Sequence, residues 1–186
     1  MQNLLKIFVS LIFLVGCTPN FVTKGVDHGR PSLDFKKNIF TTSDQHPLTF
    51  HHWETEGTEK IQAVLIGVHG FNDYGRFVEP SFAPLLNGHN ILVTSYDQRG
   101  VGNDDTRGQW TEADTLSHDL VTFINLVHTR YPDQPIYVLG ESMGGAVVIK
   151  TMAQNPKLPV QGVILSAPAL WAIQTWSWYQ KAALYA

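Results

Sequence analysis

The chain has 186 residues, 44% of them hydrophobic, 16% charged and 11% aromatic, which excludes a disordered tail, a collagen-like repeat and a coiled coil. Thirteen Lys and Arg against sixteen Asp and Glu give a net charge of −3, and without a basic run to follow a phosphate backbone no nucleic acid is expected as a partner. The single cysteine, Cys17, excludes an intramolecular disulfide and a cysteine-based zinc cluster.

Residues 1–6 carry one charged side chain, Lys6, residues 7–15 are apolar apart from Ser10, and Gly16-Cys17 follow. This is the pattern of a removable secretory leader, and its apolar run falls well short of the about 20 residues a membrane span needs. Leu14-Val15-Gly16-Cys17 resembles the bacterial lipoprotein box. The resemblance implies a signal peptide over residues 1–16, a mature N-terminus at Cys17 and lipid on its sulfur. Thr18 stands where the resemblance would put an Asp for inner-membrane retention, which implies a bacterial cell envelope location at the outer rather than the inner membrane. Residues 17–38 mix Pro, Asn, Lys, Asp and Gly without periodicity and read as a tether, with the fold beginning near Asn38.

From there β-rich and helical runs alternate. Residues 39–42 and 48–53 flank the polar cluster Ser43-Asp44-Gln45-His46-Pro47 and read as a hairpin. Residues 61–68 are nearly all apolar, as expected of a strand covered on both faces. Residues 91–96 form a second such run, leading into the loop 97–102. Between Glu112 and Tyr131, Leu116, Leu120, Phe123, Ile124 and Val127 fall on one helical face, with Thr111 as the expected cap and Pro132 beyond the end. A strand over 136–139, a helix over 143–154 stopped by Asn155-Pro156, and a strand over 160–165 complete the pattern. This order predicts an α/β fold with a mostly parallel sheet and flanking helices, and places chemistry at the carboxyl ends of the strands.

Gly140-Glu141-Ser142-Met143-Gly144 sits between an apolar strand and a helix, which is the context in which G-x-S-x-G marks a nucleophile on a sharp turn. Gly140 and Gly144 give the crowded backbone the room it needs. Ser142 is the candidate catalytic residue, lying at the positive end of the following helix. Acyl transfer also needs two N–H donors for the developing oxyanion. Met143 N–H, directly after the nucleophile, is one; Phe71 N–H, in the loop Val68-His69-Gly70-Phe71-Asn72 after an earlier strand, is the other. Gly70 is read with them as a loop glycine, and His69 as a histidine that shapes the loop through backbone hydrogen bonds. Asp97, Asp104 and Asp105 read as turn-fixing or solvated carboxylates, Asp73 as a group near a substrate head group. His118 and His128 read as solvated, and the adjacent His51 and His52 as pointing to opposite faces of a strand. No metal site is expected.

Four segments in order, HGFNDYGRF (69–77), YDQRGVG (96–102), GESMGG (140–145) and LSAPALW (165–171), resemble the α/β-hydrolase branch of monoacylglycerol lipases and lysophospholipases. The resemblance covers residues 39–186 and implies ester hydrolysis by a serine nucleophile, an acyl pocket under a lid, lipid or other ester substrates, and no cofactor. It also implies a histidine base and an acid downstream of the serine. Residues 143–186 contain no Asp, Glu or His, and all eight histidines precede Ser142. The expectation is therefore an N-terminal part of the domain, lacking the last strands and most of the lid, very weakly active by itself and completed by a continuation or a separate C-terminal fragment. Two other readings stay open: a non-catalytic lipoprotein remnant that binds at most hydrophobic ligands, and a related hydrolase of amides or peptides. The apolar stretch from Leu170 to Tyr185 resembles the beginning of a lid. Replacing Cys17 with Ala is expected to abolish incorporation of labelled fatty acid and release the protein from membranes, read by radiolabelling and fractionation.

Overall fold

The computed structural model describes residues 21–22, 25, 29–55, 60–80, 82–170 and 177–178. Cys17, the leader and the greater part of the C-terminal apolar stretch lie outside them. A short strand β1 (Phe21–Val22) is followed by β2 (Ser32–Asp34), β3 (Ile39–Thr41), β4 (Pro47–Trp53), β5 (Ala63–Val68) and a 3-10 turn at Gly75–Val78. Helix α1 (Ala83–Asn87), β6 (Ile91–Tyr96), β7 (Trp110–Thr111), α2 (Ala113–Arg130), β8 (Ile136–Glu141), α3 (Met143–Gln154) and β9 (Gly162–Ser166) follow among the described residues. Among the described residues no helix is long and apolar enough to cross a membrane.

Seven strands form one sheet in the order β2-β3-β4-β6-β5-β8-β9. The pairs from β2 through β4 to β6 are antiparallel, and β6, β5, β8 and β9 run parallel. The expected hairpin is present as β3 and β4. The continuous apolar run of β5 has its predicted cause, because the two faces of the strand feed two cores. Val64, Ile66 and Val68 pack with Leu120, Phe123, Ile124, Val147 and Val148 of α2 and α3, whereas Leu65 packs with Val78, Ala83, Val93 and Leu139 on the side of the 3-10 turn and α1. Each core residue predicted on α2 is buried. Phe123 is the hub of the larger core: its ring lies 4.8 Å from Tyr96, 5.1 Å from Phe40 and 6.4 Å from Phe50, in the tilted and edge-on geometries that aromatic quadrupoles favour.

Three expectations are corrected. The sheet starts before Asn38, since Ser32–Asp34 pair with Ile39–Thr41 across a turn whose backbone N–H groups, at Lys36 and Lys37, donate to the Asp34 carboxylate. Nor is the preceding chain a free tether: Phe21–Val22 pair in parallel with Trp110–Thr111, and Gly25 N–H donates to Asp44 at 2.6 Å. Thr111 does not cap α2; its hydroxyl donates to the Arg99 carbonyl, and Glu112 takes the cap position without a side-chain bond.

At the other edge of the sheet, β9 pairs only with β8 among the described strands, and Val163, Ile164 and Leu165 are exposed. Replacing Phe123 with Ala is expected to destabilise the fold by about 3–5 kcal/mol, seen as a fall in the urea midpoint.

Candidate active site

The carboxyl ends of β5, β6 and β8 meet at Ser142. This residue has φ 48° and ψ −115°, a conformation that costs a non-glycine residue about 1–3 kcal/mol and persists only where its surroundings impose it. Several bonds impose it here. Ser142 N–H donates to the Ser166 carbonyl at 2.9 Å, and Ala169 N–H donates to the Ser142 carbonyl at 2.8 Å, tying the turn to the loop after β9. Gly144 lies so near the end of β5 that a Cβ there would overlap the Val68 carbonyl oxygen and come within 2.5 Å of the His69 one. The helix that follows, α3, begins at Met143, so its unpaired N-terminal N–H groups face the serine.

Gly70 brings the second loop to Ser142. A Cβ at Gly70 would sit 3.3 Å from Ser142 Cβ and 3.9 Å from its Oγ. His69, fully buried, fixes how this loop is presented. Gln98 N–H donates to His69 Nε2 at 2.9 Å, which leaves Nδ1 as the protonated nitrogen, and Nδ1–H donates to the Gly70 carbonyl at 2.8 Å. Because a trans peptide holds its C=O and N–H on opposite sides, pinning the Gly70 carbonyl to His69 turns Phe71 N–H away from the histidine. The Gln98 side chain adds a bond to the His69 carbonyl at 2.7 Å. Burial pushes the His69 pKa down, against the smaller pull of the Gly70 bond. Both nitrogens are thus committed to the loop, which agrees with the shaping role expected for His69.

Asp97 fastens the same loop from its far side. It is buried and accepts from Gly75 N–H at 2.7 Å, from Asn103 N–H at 2.7 Å and from His51 Nε2 at 2.9 Å. Burial raises its pKa, but the bonds from His51, Asn103 and Gly75 outweigh that and hold it below the ordinary carboxylate range. Asp104 is similarly buried, bonded to His46, Gly100 N–H and Thr106, while Asp105 faces water. His51 and His52 have separate partners, Asp97 and Glu54. His118, expected in solvent, is half-buried with Nε2 2.7 Å from Ser43 Oγ; its position beside the apolar stripe of α2 borders the hairpin turn.

Beside Ser142 lies a cavity of about 470 Å³ walled by Phe71, Trp110, Leu116, Met143, Ala146 and Val147, with Lys150 at one side. Among the described residues its lining is mostly apolar and includes no His, Asp or Glu. Lys150 is held by Asp114 at 2.9 Å. A larger opening of about 770 Å³ on the α1 side is lined by Asp73, Arg76, Glu79 and Glu141 and does not reach the serine. Asp73, read as a head-group contact, lies there, its carboxylate bonded to Tyr74 N–H. No cluster of metal-ligating side chains occurs among the described residues.

A family model described as serine aminopeptidase, S33, matches residues 59–186. The chain belongs to this family of α/β hydrolases. It is 31% identical to the mouse monoglyceride lipase over 132 residues, 70% of this chain and 42% of that one. It is also 28% identical to phospholipase YtpA of Bacillus subtilis over 109 residues, 58% of this chain and 41% of that one. The chain therefore spans less than half the length of these relatives. A soluble variant of the Saccharomyces cerevisiae monoglyceride lipase, solved in complex with a substrate analog, superimposes with a TM-score of 0.61 at 23% identity, over 77% of this chain and 46% of that one. A thermostable carboxyl esterase from Bacillus coagulans gives 0.59 at 22% identity, over 68% and 42%. These superpositions support the α/β-hydrolase fold of this S33 family member.

Sequence reasoning missed Arg99. Its guanidinium is buried, bidentate to Asp119 at 2.6 and 3.0 Å and also bonded to Asp44 at 2.5 and 2.9 Å. An Asp set between Leu116 and Leu120 on the apolar stripe of α2 was the available signal of a buried cation. Because a histidine with a depressed native pKa binds fewer protons folded than unfolded, the stability that His69 contributes is full above about pH 6.5 and is lost as the pH falls through the lowered value. The difference in urea midpoint between wild type and His69→Gln is accordingly expected to shrink between pH 7 and pH 5.

Proposed function

We propose that the chain carries the nucleophile and oxyanion half of a serine hydrolase of lipid carboxylic esters, monoacylglycerols or lysophospholipids, anchored to a bacterial membrane through acylated Cys17. The observation that carries the reading is the strained Ser142 turn, set against Gly70 and opening onto an apolar cavity. Ser142 Oγ attacks the ester carbonyl carbon, and the resulting oxyanion accepts from Phe71 N–H and Met143 N–H. The alcohol departs with a proton, and water then cleaves the acyl-serine ester to release the fatty acid. A mostly apolar cavity at the serine, with Lys150 at one side only, suits an acyl chain, and the names of the relatives, monoglyceride lipase and phospholipase, agree with such substrates.

The general base and its orienting acid come, in this reading, from polypeptide other than residues 1–186, either continuous with them or a separate fragment. Residues 143–186 offer no His, Asp or Glu, and both His69 nitrogens are occupied. The same fact favours a second reading, a non-catalytic remnant binding hydrophobic ligands.

Residues 1–186 alone are expected to hydrolyse p-nitrophenyl esters about 10⁴- to 10⁶-fold more slowly than a complete triad would. A fluorophosphonate probe should still label the chain slowly, at Ser142, with Ser142→Ala silent. Absence of labelling both in this chain and in a form extended by a His- and Asp-bearing segment would establish the remnant. Faster turnover of amides than of esters by the extended form would move the substrate class to peptides.

A further inference from the structure

The N-terminal segment is strapped to the rim of the Ser142 cavity. Phe21 pairs with Trp110 and Val22 with Thr111, and three residues on Gly25 N–H is held by Asp44, which itself binds the buried Arg99. The chain available between Cys17 and the folded body is therefore only the run 17–21. A trans chain extends at most 3.3–3.6 Å per residue, so Cys17 lies within about 14 Å of Phe21, where a tether free to Asn38 would have reached about 70 Å. An acyl anchor that close fixes which side of the protein meets the bilayer.

That side carries two exposed aromatic side chains. Phe71 is 61% exposed and Trp110 49%, their rings 5.7 Å apart, and both wall the cavity that holds Ser142. Aromatic side chains with an apolar body and, for Trp, a polar N–H partition to the boundary between lipid headgroups and acyl chains. Exposed charges beside them are of both signs, Asp105, Arg107 and Glu112, so attraction to anionic headgroups does not select this face; apolar contact and the short link do.

We propose that the Phe71–Trp110 rim is the membrane-docking surface of the protein, held against the bilayer by the three residues that link acylated Cys17 to Phe21, so that a lipid ester passes from the membrane into the Ser142 cavity without crossing bulk water. This rests on the reading of Cys17 as an acylated N-terminus. It adds to that reading an orientation: the carboxyl ends of the parallel strands face the lipid and their amino ends face away.

The test uses the full chain, expressed with its leader in a bacterial host and reconstituted into vesicles of phosphatidylethanolamine and phosphatidylglycerol. Cys17 is the only cysteine, and acylation blocks it, so an environment-sensitive fluorophore reports from one introduced thiol at a time. Trp110→Cys and Arg107→Cys place the probe on the rim loop, and Asp133→Cys places it before β8 at the opposite end of the sheet. Mass spectrometry of each purified protein reads the lipid on Cys17. The expected result is lipid on Cys17, blue-shifted emission quenched by brominated lipid at 110, a smaller shift at 107, and neither at 133. Lipid on Cys17 with unshifted probes at both 110 and 107, or with an equal shift at 133, would overturn the orientation and leave the anchor standing. If Cys17 carries no lipid, the anchor reading fails, and the same introduced cysteines are labelled in a Cys17→Ser background; the docking surface then stands only if the rim probes still shift when that protein is added to the same vesicles, and unshifted probes overturn it as well.

Discussion

A buried guanidinium organises this molecule. Arg99 sits at the carboxyl end of β6 with almost no access to water, and an unpaired cation there would be prohibitively costly. It is met by Asp44 from the hairpin turn and Asp119 from α2, while Thr42 accepts a further bond. Its own carbonyl accepts from Thr111, which places β7, and Asp44 reaches on to Gly25. Two carboxylates around one cation cannot both ionise freely. Burial pushes Asp119 up to about 6 against the pull of Arg99, whereas the bonds from Arg99, Thr42 and Gly25 outweigh burial at Asp44 and hold it far below the ordinary range. Hairpin, helix, cavity wall and N-terminal strap thus share one electrostatic centre.

Around that centre the loops that meet at Ser142 are held by buried polar groups. His69 and Gln98 set the peptide between Gly70 and Phe71, and Asp97 ties Gly75 to Asn103 and His51. The result is preorganisation: the turn at Ser142 keeps its strained backbone because Ser166, Ala169 and the end of β5 leave it no other conformation. An oxyanion site works through donors that need not reorganise when charge develops, and buried neutral His69 is suited to holding one in place.

Two of the openings at the carboxyl ends of the strands differ in chemistry. The one beside Ser142 is apolar and aromatic-rimmed; the other, on the α1 side, is wider and carries three carboxylates. The first belongs with Ser142 because the side chains of α2 and α3 that build the larger core also floor it, Leu116 and Val147 among them. Cavity and core are one packing arrangement. Exposed Val163, Ile164 and Leu165 leave the β9 edge apolar and open to pairing.

The sequence by itself determined the strand and helix order, the parallel sheet, the core face of α2 and the sharp strand-to-helix turn at Ser142, because periodicity and G-x-S-x-G are local patterns with direct backbone consequences. It also determined that residues 143–186 hold no Asp, Glu or His. Tertiary structure alone decided what became of the polar groups. Arg99 looked like one more loop cation, Thr111 like a helix cap, His118 like a solvated side chain and residues 17–38 like a loose tether. Each was settled by a partner far away in the chain: Asp119, the Arg99 carbonyl, Ser43 and Trp110. A hydrogen bond between residues separated by 12 to 89 positions leaves no period in the sequence; it exists only once hydrophobic burial has brought its two ends together.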